Sequence, residues 1–166
     1  MLKWYRDWFL TSVIVLVVFA DQLSKHLIKS LLDLHESWPS DGFLRLTHGF
    51  NSGTAFGLFP NQTNLLIFLS IVAIGFLYYF YRTQALPSRL LRIALGLQLG
   101  GALGNLSDRL RIGGVVDFLD VGWWPIFNIA DSSIVIGMVL LAWVIVFNSG
   151  TNNSRKPKNH MKHEDR

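Results

Sequence analysis

Val13-Ile14-Val15-Leu16-Val17-Val18-Phe19-Ala20 runs without a polar residue straight into Asp21-Gln22-Leu23-Ser24-Lys25. Extended to Trp8 and Ile28, this apolar stretch is long enough to cross a bilayer, which takes about 20 mostly apolar residues. Three further windows share the property: Asn64–Tyr81, without a charge; Leu90–Leu110, broken by Arg92, Gln98 and several glycines; and Ile129–Phe147, where Asp131 is the only ionisable residue. A buried soluble helix can imitate one such window, but four of them in 166 residues specify a mainly α membrane protein with four transmembrane helices.

Composition agrees. Apolar residues make up 51% of the chain and charged residues 16%, against about 25% charge in soluble domains. Mean hydropathy is +0.35. The absence of Cys excludes disulfides, thiolate metal sites, a cysteine nucleophile and cysteine lipidation of this chain. Residues 1–147 read as a single membrane domain, and the polar, basic stretch 148–166 as a disordered tail. The N-terminus resembles a secretory signal in placing Lys3 and Arg6 before an apolar run. With no small-x-small cleavage site after it, the run reads as a retained first helix.

Charge distribution orients the spans. Lys3, Arg6, Arg82, Arg89, Arg92 and the tail hold ten of the fifteen basic residues, leaving Lys25, Lys29, Arg45, Arg109 and Arg111 on the other side with most of the acids. The basic side should be cytoplasmic, so both termini face in. A pI near 9.6 is then a topology signal aided by anionic lipid. It does not indicate nucleic-acid binding, because the basic residues sit at membrane borders and form no patch with interleaved aromatics. Between the first two helices, Trp38-Pro39, Asp41-Gly42 and the alternating Phe43-Leu44-Arg45-Leu46-Thr47 predict a short, half-exposed β element.

Ionisable residues in spans are costly and mark function by default. Asp21, Lys25, Asn105, Asp108, Arg109, Asp117 and Asp131 all fall at one depth, near the outer face. Each also has a plainer reading. Asp21 and Lys25, at i and i+4, suit a local ion pair. Asn105, Asp108 and Arg109, at i, i+3 and i+4, suit a self-satisfied polar knot, Asp131 a helix N-cap, and Asp117 a solvated turn. Asn51 falls in a small-residue loop, Asn51-Ser52-Gly53-Thr54-Ala55-Phe56-Gly57, which is either an ordinary turn or the holder of a buried amide. Gly96, Gly100 and Gly104 recur every four residues and form a smooth packing face.

The five His residues lack ligand spacing and no Gly-x-Ser-x-Gly elbow appears, so metal and serine hydrolysis have little support. A carboxylate pair remains. Two close carboxyls share one proton, the ionised member taking a proton from water while the protonated one hydrogen-bonds a carbonyl. That is aspartic amide hydrolysis. A proton-coupled transporter and a non-catalytic scaffold are the alternatives from other classes. The lack of an inverted repeat weakens the first.

Five blocks carry a resemblance: Asp21-Gln22-Leu23-Ser24-Lys25, Asn51-Ser52-Gly53-Thr54-Ala55-Phe56, Gly104-Asn105-Leu106-Ser107-Asp108-Arg109, Val115-Val116-Asp117-Phe118 and Phe127-Asn128-Ile129-Ala130-Asp131. Together, across residues 8–147, the sequence resembles the lipoprotein signal peptidases (signal peptidase II). The resemblance implies a bacterial inner-membrane aspartic peptidase that removes the signal peptide from diacylglyceryl-modified prolipoproteins, cutting before the lipidated cysteine. It implies Asp117 and Asp131 as the catalytic dyad and Asp21, Lys25, Asn51, Asn105, Asp108, Arg109, Asn128 and Ala130 as the surrounding shell. It also implies a periplasmic β-cradle between helices one and two, globomycin-type inhibition, a monomer among membrane lipids, and no metal or cofactor. Thr54 and Ser107 stand at positions variable in that family. Within this reading Asn128 and the backbone near Asp131 orient the dyad, and Arg109 acts on the third-helix cluster through Asp108.

Overall fold

The computed structural model describes residues 7–53, 62–83 and 88–149, with side chains to 147. Four helices and three short strands follow one another: α1 (Trp8–Leu31), β1 (Ser37–Trp38), β2 (Arg45–Asn51), α2 (Thr63–Thr83), α3 (Arg89–Ile112), β3 (Val115–Asp120) and α4 (Ile129–Ser149). Lys3, Arg6, the Thr54–Gly57 part of the small-residue loop and the tail beyond Ser149 lie outside the described residues. The first two tail positions expected to be disordered, 148 and 149, instead continue α4.

Helices α1, α2 and α4 are long and apolar enough to cross a membrane. Their outer faces show Leu16, Phe19, Phe68, Phe76, Tyr79, Val139 and Val146 to the surroundings, an apolar surface that only lipid solvates without cost. Helix α3 is a full helix of 24 residues but much more polar. The other three helices pack around it, so Gln98, Asn105 and Asp108 point into protein. Arg92 meets Asp7, the α1 cap, at 3.1 Å, where Tyr81 also donates to Asp7. Gln98 is buried against the bare backbone of Gly137 in α4.

The glycine face packs as expected. A Cβ on Gly96 would lie 2.7 Å from Val13, on Gly100 2.7 Å from Val17 and on Gly104 2.6 Å from the Asp21 carboxylate. Close approach of α1 to α3 therefore requires glycine at each turn. At the opposite end of the bundle from the strands, Leu10, Leu77, Tyr81, Leu91, Leu95, Leu99 and Val144 make the apolar core.

The strands form one antiparallel sheet in the order β1-β2-β3. The expected strand at 43–47 begins at Arg45 and runs on to Asn51, so Asn51 is a strand residue and no ordinary turn. The sheet is not confined to the segment between α1 and α2 as expected. Its third strand comes from the connection between α3 and α4, because β2 alone has no partner for its second edge.

Candidate active site

Asp117 sits inside β3 and is buried, which corrects the solvated-turn reading. Two contacts place it. Gly49 lies opposite Asp117 in the β2–β3 register, and a Cβ there would come within 3.3 Å of the Asp117 carbonyl. Asn51 lies opposite Val115, so Asn51 and Asp117 share a face by the two-residue alternation of strands. Asn51 Nδ2 donates to Asp117 Oδ2 at 3.1 Å. At the far end of the sheet, Asp120 accepts from Arg45 Nε at 3.0 Å and from Thr47 at 2.9 Å. Burial pushes the Asp120 carboxyl up, but the Gly122 amide, Thr47 and Arg45 outweigh it and hold the group below its ordinary value.

After β3 the chain turns through Gly122, at φ 78°, and doubles back. Phe118 and Leu119 amides both donate to the Phe127 carbonyl, at 2.9 and 2.7 Å. This return places Asn128, fully buried, beside Asp117: Asn128 Nδ2 donates to Asp117 Oδ1 at 2.7 Å.

Asn128 is also the cap of α4, which corrects the assignment of that role to Asp131. Its Oδ1 accepts from the Asp131 amide at 2.9 Å, and its own amide donates to Asp131 Oδ2 at 3.3 Å. This reciprocal pattern is a capping box with an aspartate in the third helical position. The neighbouring Ala130 amide donates to Asp21 Oδ1 at 3.0 Å. At the start of α4 the N–H groups of Asn128, Ala130 and Asp131 are thus satisfied from α1 and from the cap itself.

Ala130 is wholly buried, and only a small residue fits between α3 and α4 there. A Cβ on Gly101 would lie 2.4 Å from the Ala130 carbonyl. Gly101→Ala is expected to lower the thermal midpoint in detergent. Over-packing against an oxygen of the backbone costs about 1–3 kcal/mol, more than the helix-propensity gain of up to about 1 kcal/mol. An unchanged midpoint would contradict the close packing.

Asp21 and Lys25 form the expected i, i+4 pair at 2.8 Å. The pair is not merely local, since Lys25 Nζ also lies 2.8 Å from Asp108 Oδ2 and donates to Asn105 Oδ1 at 2.9 Å. Asn105 Nδ2 in turn donates to Asp131 Oδ1 at 2.7 Å. The third-helix residues are therefore no self-contained knot. Asp108 pairs with Lys25 and accepts from Gln22 at 2.9 Å, while Arg109 lines the cavity with the carboxylates. Arg109 thus faces the two cavity carboxylates and also has Asp108, its expected partner, among its charged neighbours.

A cavity of about 260 Å³ joins these parts, lined by Asn51, Gly53, Asn105, Arg109, Asp117 and Asp131 together with Trp124–Phe127, Val115, Ile134 and Val135. Burial, and then the negative charge of Asp131, raise the Asp117 carboxyl to about 6 despite donors from Asn51 and Asn128. All ten residues singled out in the sequence lie in this cavity or in the network behind it.

Sequence reading missed Gln22, which bridges Asp21, Asp108 and the Gly104 carbonyl. It also missed Gly101 and the Trp124–Phe127 wall. Gly101 was legible as the glycine one position off the four-residue repeat, facing a second helix. The wall had no signal, because it depends on the doubling-back of the loop.

A family model described as signal peptidase (SPase) II matches residues 13–147. The lipoprotein signal peptidase of Moorella thermoacetica is 44% identical over 144 residues, covering 86% of this chain and 95% of its own. That of Halothermothrix orenii is 46% identical over 132 residues, covering 78% and 89%. A bacterial membrane enzyme solved by the in meso method at 2.3 Å superposes with a TM-score of 0.79 at 32% identity, over 90% of this chain and 93% of that one.

Proposed function

Since the chain belongs to the signal peptidase II family, and is a peptidase, we propose that it is an intramembrane aspartic endopeptidase that removes signal peptides from diacylglyceryl-modified prolipoproteins. The observation that carries this reading is a single cavity holding two carboxylates, Asp117 and Asp131, bridged by Asn128 and met by amide N–H groups. One carboxylate takes a proton from water, and the resulting hydroxide attacks the scissile carbonyl carbon. The other carboxyl hydrogen-bonds the carbonyl oxygen. Proton transfer to the departing amine then breaks the C–N bond and leaves an acid and an amine.

Four spans are proposed, with α3 crossing inside the other three. Both termini are cytoplasmic in this reading, the membrane is the bacterial inner membrane, and the strands and dyad lie on the periplasmic side. Membrane location follows from the substrate. A diacylglyceryl cysteine keeps the scissile bond at the lipid edge, and its acyl chains supply binding energy remote from the reacting bond. Val135, exposed on α4, extends the cavity wall onto the lipid-facing surface. The enzyme works as a monomer without metal or cofactor and is blocked by globomycin-type inhibitors.

The test is cleavage by purified protein in detergent of a prolipoprotein with and without its diacylglyceryl group. Cleavage that needs the lipid supports the reading, and equal cutting of both forms overturns the substrate assignment.

The pH dependence has a definite sign. The competent pair holds one proton, so rate falls as pH rises through the loss of that proton. Because the Asp117 carboxyl is raised to about 6, this limb lies near or above pH 6, well clear of the ordinary carboxylate range. Asn51 donates to the ionised form, so Asn51→Leu moves the limb to higher pH. A pH–rate profile showing the limb unmoved, or moved down, contradicts the assignment.

A further inference from the structure

Asn105, Asn128 and Asn51 all approach the two carboxylates, and an asparagine amide can turn either its N–H₂ or its carbonyl toward a neighbour. In each case the choice is made behind the site, by a group that only donates. Lys25 Nζ donates to Asn105 Oδ1, the Asp131 backbone N–H to Asn128 Oδ1, and the Gly53 backbone N–H to Asn51 Oδ1, each at 2.9 Å. Neither an ammonium nor a backbone N–H accepts a hydrogen bond, so reversing any of these amides sets donor against donor. Held this way, the three Nδ2 groups meet Asp131 Oδ1 at 2.7 Å, Asp117 Oδ1 at 2.7 Å and Asp117 Oδ2 at 3.1 Å.

Two of the three fixing groups belong to the backbone. The third is a side chain from another helix, almost completely buried and itself pinned by Asp21 and Asp108 at 2.8 Å each. The other donor to Asn105 Oδ1 is Asn128 Nδ2 at 3.2 Å, a group already committed to Asp117 at 2.7 Å.

We propose that Lys25 is a positioning residue for the reaction: by fixing the Asn105 amide it keeps a donor on Asp131 and leaves the dyad's proton free to move. Lys25 acts through Asn105 and does not touch substrate. Were Asn105 to reverse, its carbonyl would face Asp131, and the shared proton would be held between the two, away from Asp117 and the substrate. This inference rests on the dyad reading above. The charged groups around the pair are Asp21 and Lys25 from α1, Asp108 and Arg109 from α3, Asp117 from β3 and Asp131 from α4; β2 contributes the neutral Asn51.

The test releases the amide while holding the cluster's net charge constant. Lys25→Met with Asp108→Asn removes one positive and one negative charge, so the net charge of the cluster is unchanged. The new asparagine keeps an oxygen for Gln22. With a lipidated prolipoprotein in detergent, the folded double variant is expected to lose about tenfold or more in kcat, the worth of a hydrogen bond to a charged group. KM should stay within about threefold, and the pH–rate profile should move to higher pH, because losing a donor favours the protonated form.

Wild-type kcat with an unmoved profile overturns the proposal. Should the double variant not fold, Asn105→Asp decides. It preserves an acceptor for Lys25 but gives Asp131 a second carboxylate in place of a donor. Reduced kcat and a profile moved to higher pH support the proposal, and no change in either overturns it. If Asp117→Asn and Asp131→Asn keep their turnover, the dyad reading itself has failed. If those variants are dead while the Lys25 and Asn105 variants match wild type, only the positioning role has.

Discussion

Asp117→Asn and Asp131→Asn are each expected to lower kcat by on the order of 10³-fold or more, with helical content and thermal midpoint near those of the wild type. The expectation follows from what each carboxylate touches. Asp117 accepts from two side-chain amides and Asp131 from one amide and its cap. Asparagine is isosteric, so the packing keeps its shape; one accepted hydrogen bond at each position is exchanged for an N–H₂ facing a donor, and the group that takes or holds the proton is gone. Among the described residues neither carboxylate is in direct ion-pair contact, and Lys25 pairs with Asp21 and Asp108 instead. Turnover in detergent beside circular dichroism of the same preparation checks both halves. Activity within about tenfold of wild type in either variant lies outside the range for a general acid or base and removes that residue from the chemistry.

The largest stability effect is expected from Lys25→Met alone. Lys25 is one of the most deeply buried charges in the molecule, with side-chain exposure of 3%. Removing it leaves Asp21 and Asp108 facing each other across α1 and α3 without the ammonium between them. Breaking a buried pair from one side costs about 3–5 kcal/mol. Adding Asp108→Asn removes the excess negative charge and should return most of that loss. The unfolding midpoints of the single and double variants in one detergent make the comparison. A single variant as stable as wild type would mean that water reaches the cluster and screens it.

Much of the bundle was legible because its signal is local. The apolar windows gave α1, α2 and α4 within a few residues, and the four-residue glycine repeat gave the α1–α3 contact. Helix α3 was legible as an interrupted window, but the sequence did not show why the interruptions are tolerated. Arg92 finds its partner at Asp7, distant in the chain, and Gln98 donates back to the Ala94 carbonyl while its side chain packs on Gly137 of α4. The sheet was half legible. Alternation in β2 marked a strand, but Val115-Val116-Asp117-Phe118 has no alternation, since five of the six β3 residues are buried on both faces.

The site residues stood out because carboxylates and amides near one membrane depth are expensive, yet the sequence misassigned several of their partners. Spacing on one helix suggested that Arg109 serves Asp108 and that Asp131 caps its own helix. The cap is Asn128, three residues before Asp131, and the third-helix cluster is tied to α1 by contacts such as Lys25 to Asn105, across 80 residues. No periodicity carries that information.

The central claim is that this cavity hydrolyses the peptide bond preceding a lipidated cysteine, and mass spectrometry of the products from a diacylglyceryl-modified prolipoprotein tests it most directly. The account predicts two products from purified wild-type protein, a signal peptide with a free carboxylate and a mature chain beginning at the diacylglyceryl cysteine, with neither formed by Asp117→Asn or Asp131→Asn. No cleavage by folded wild type, or a cut at any other bond, would contradict it.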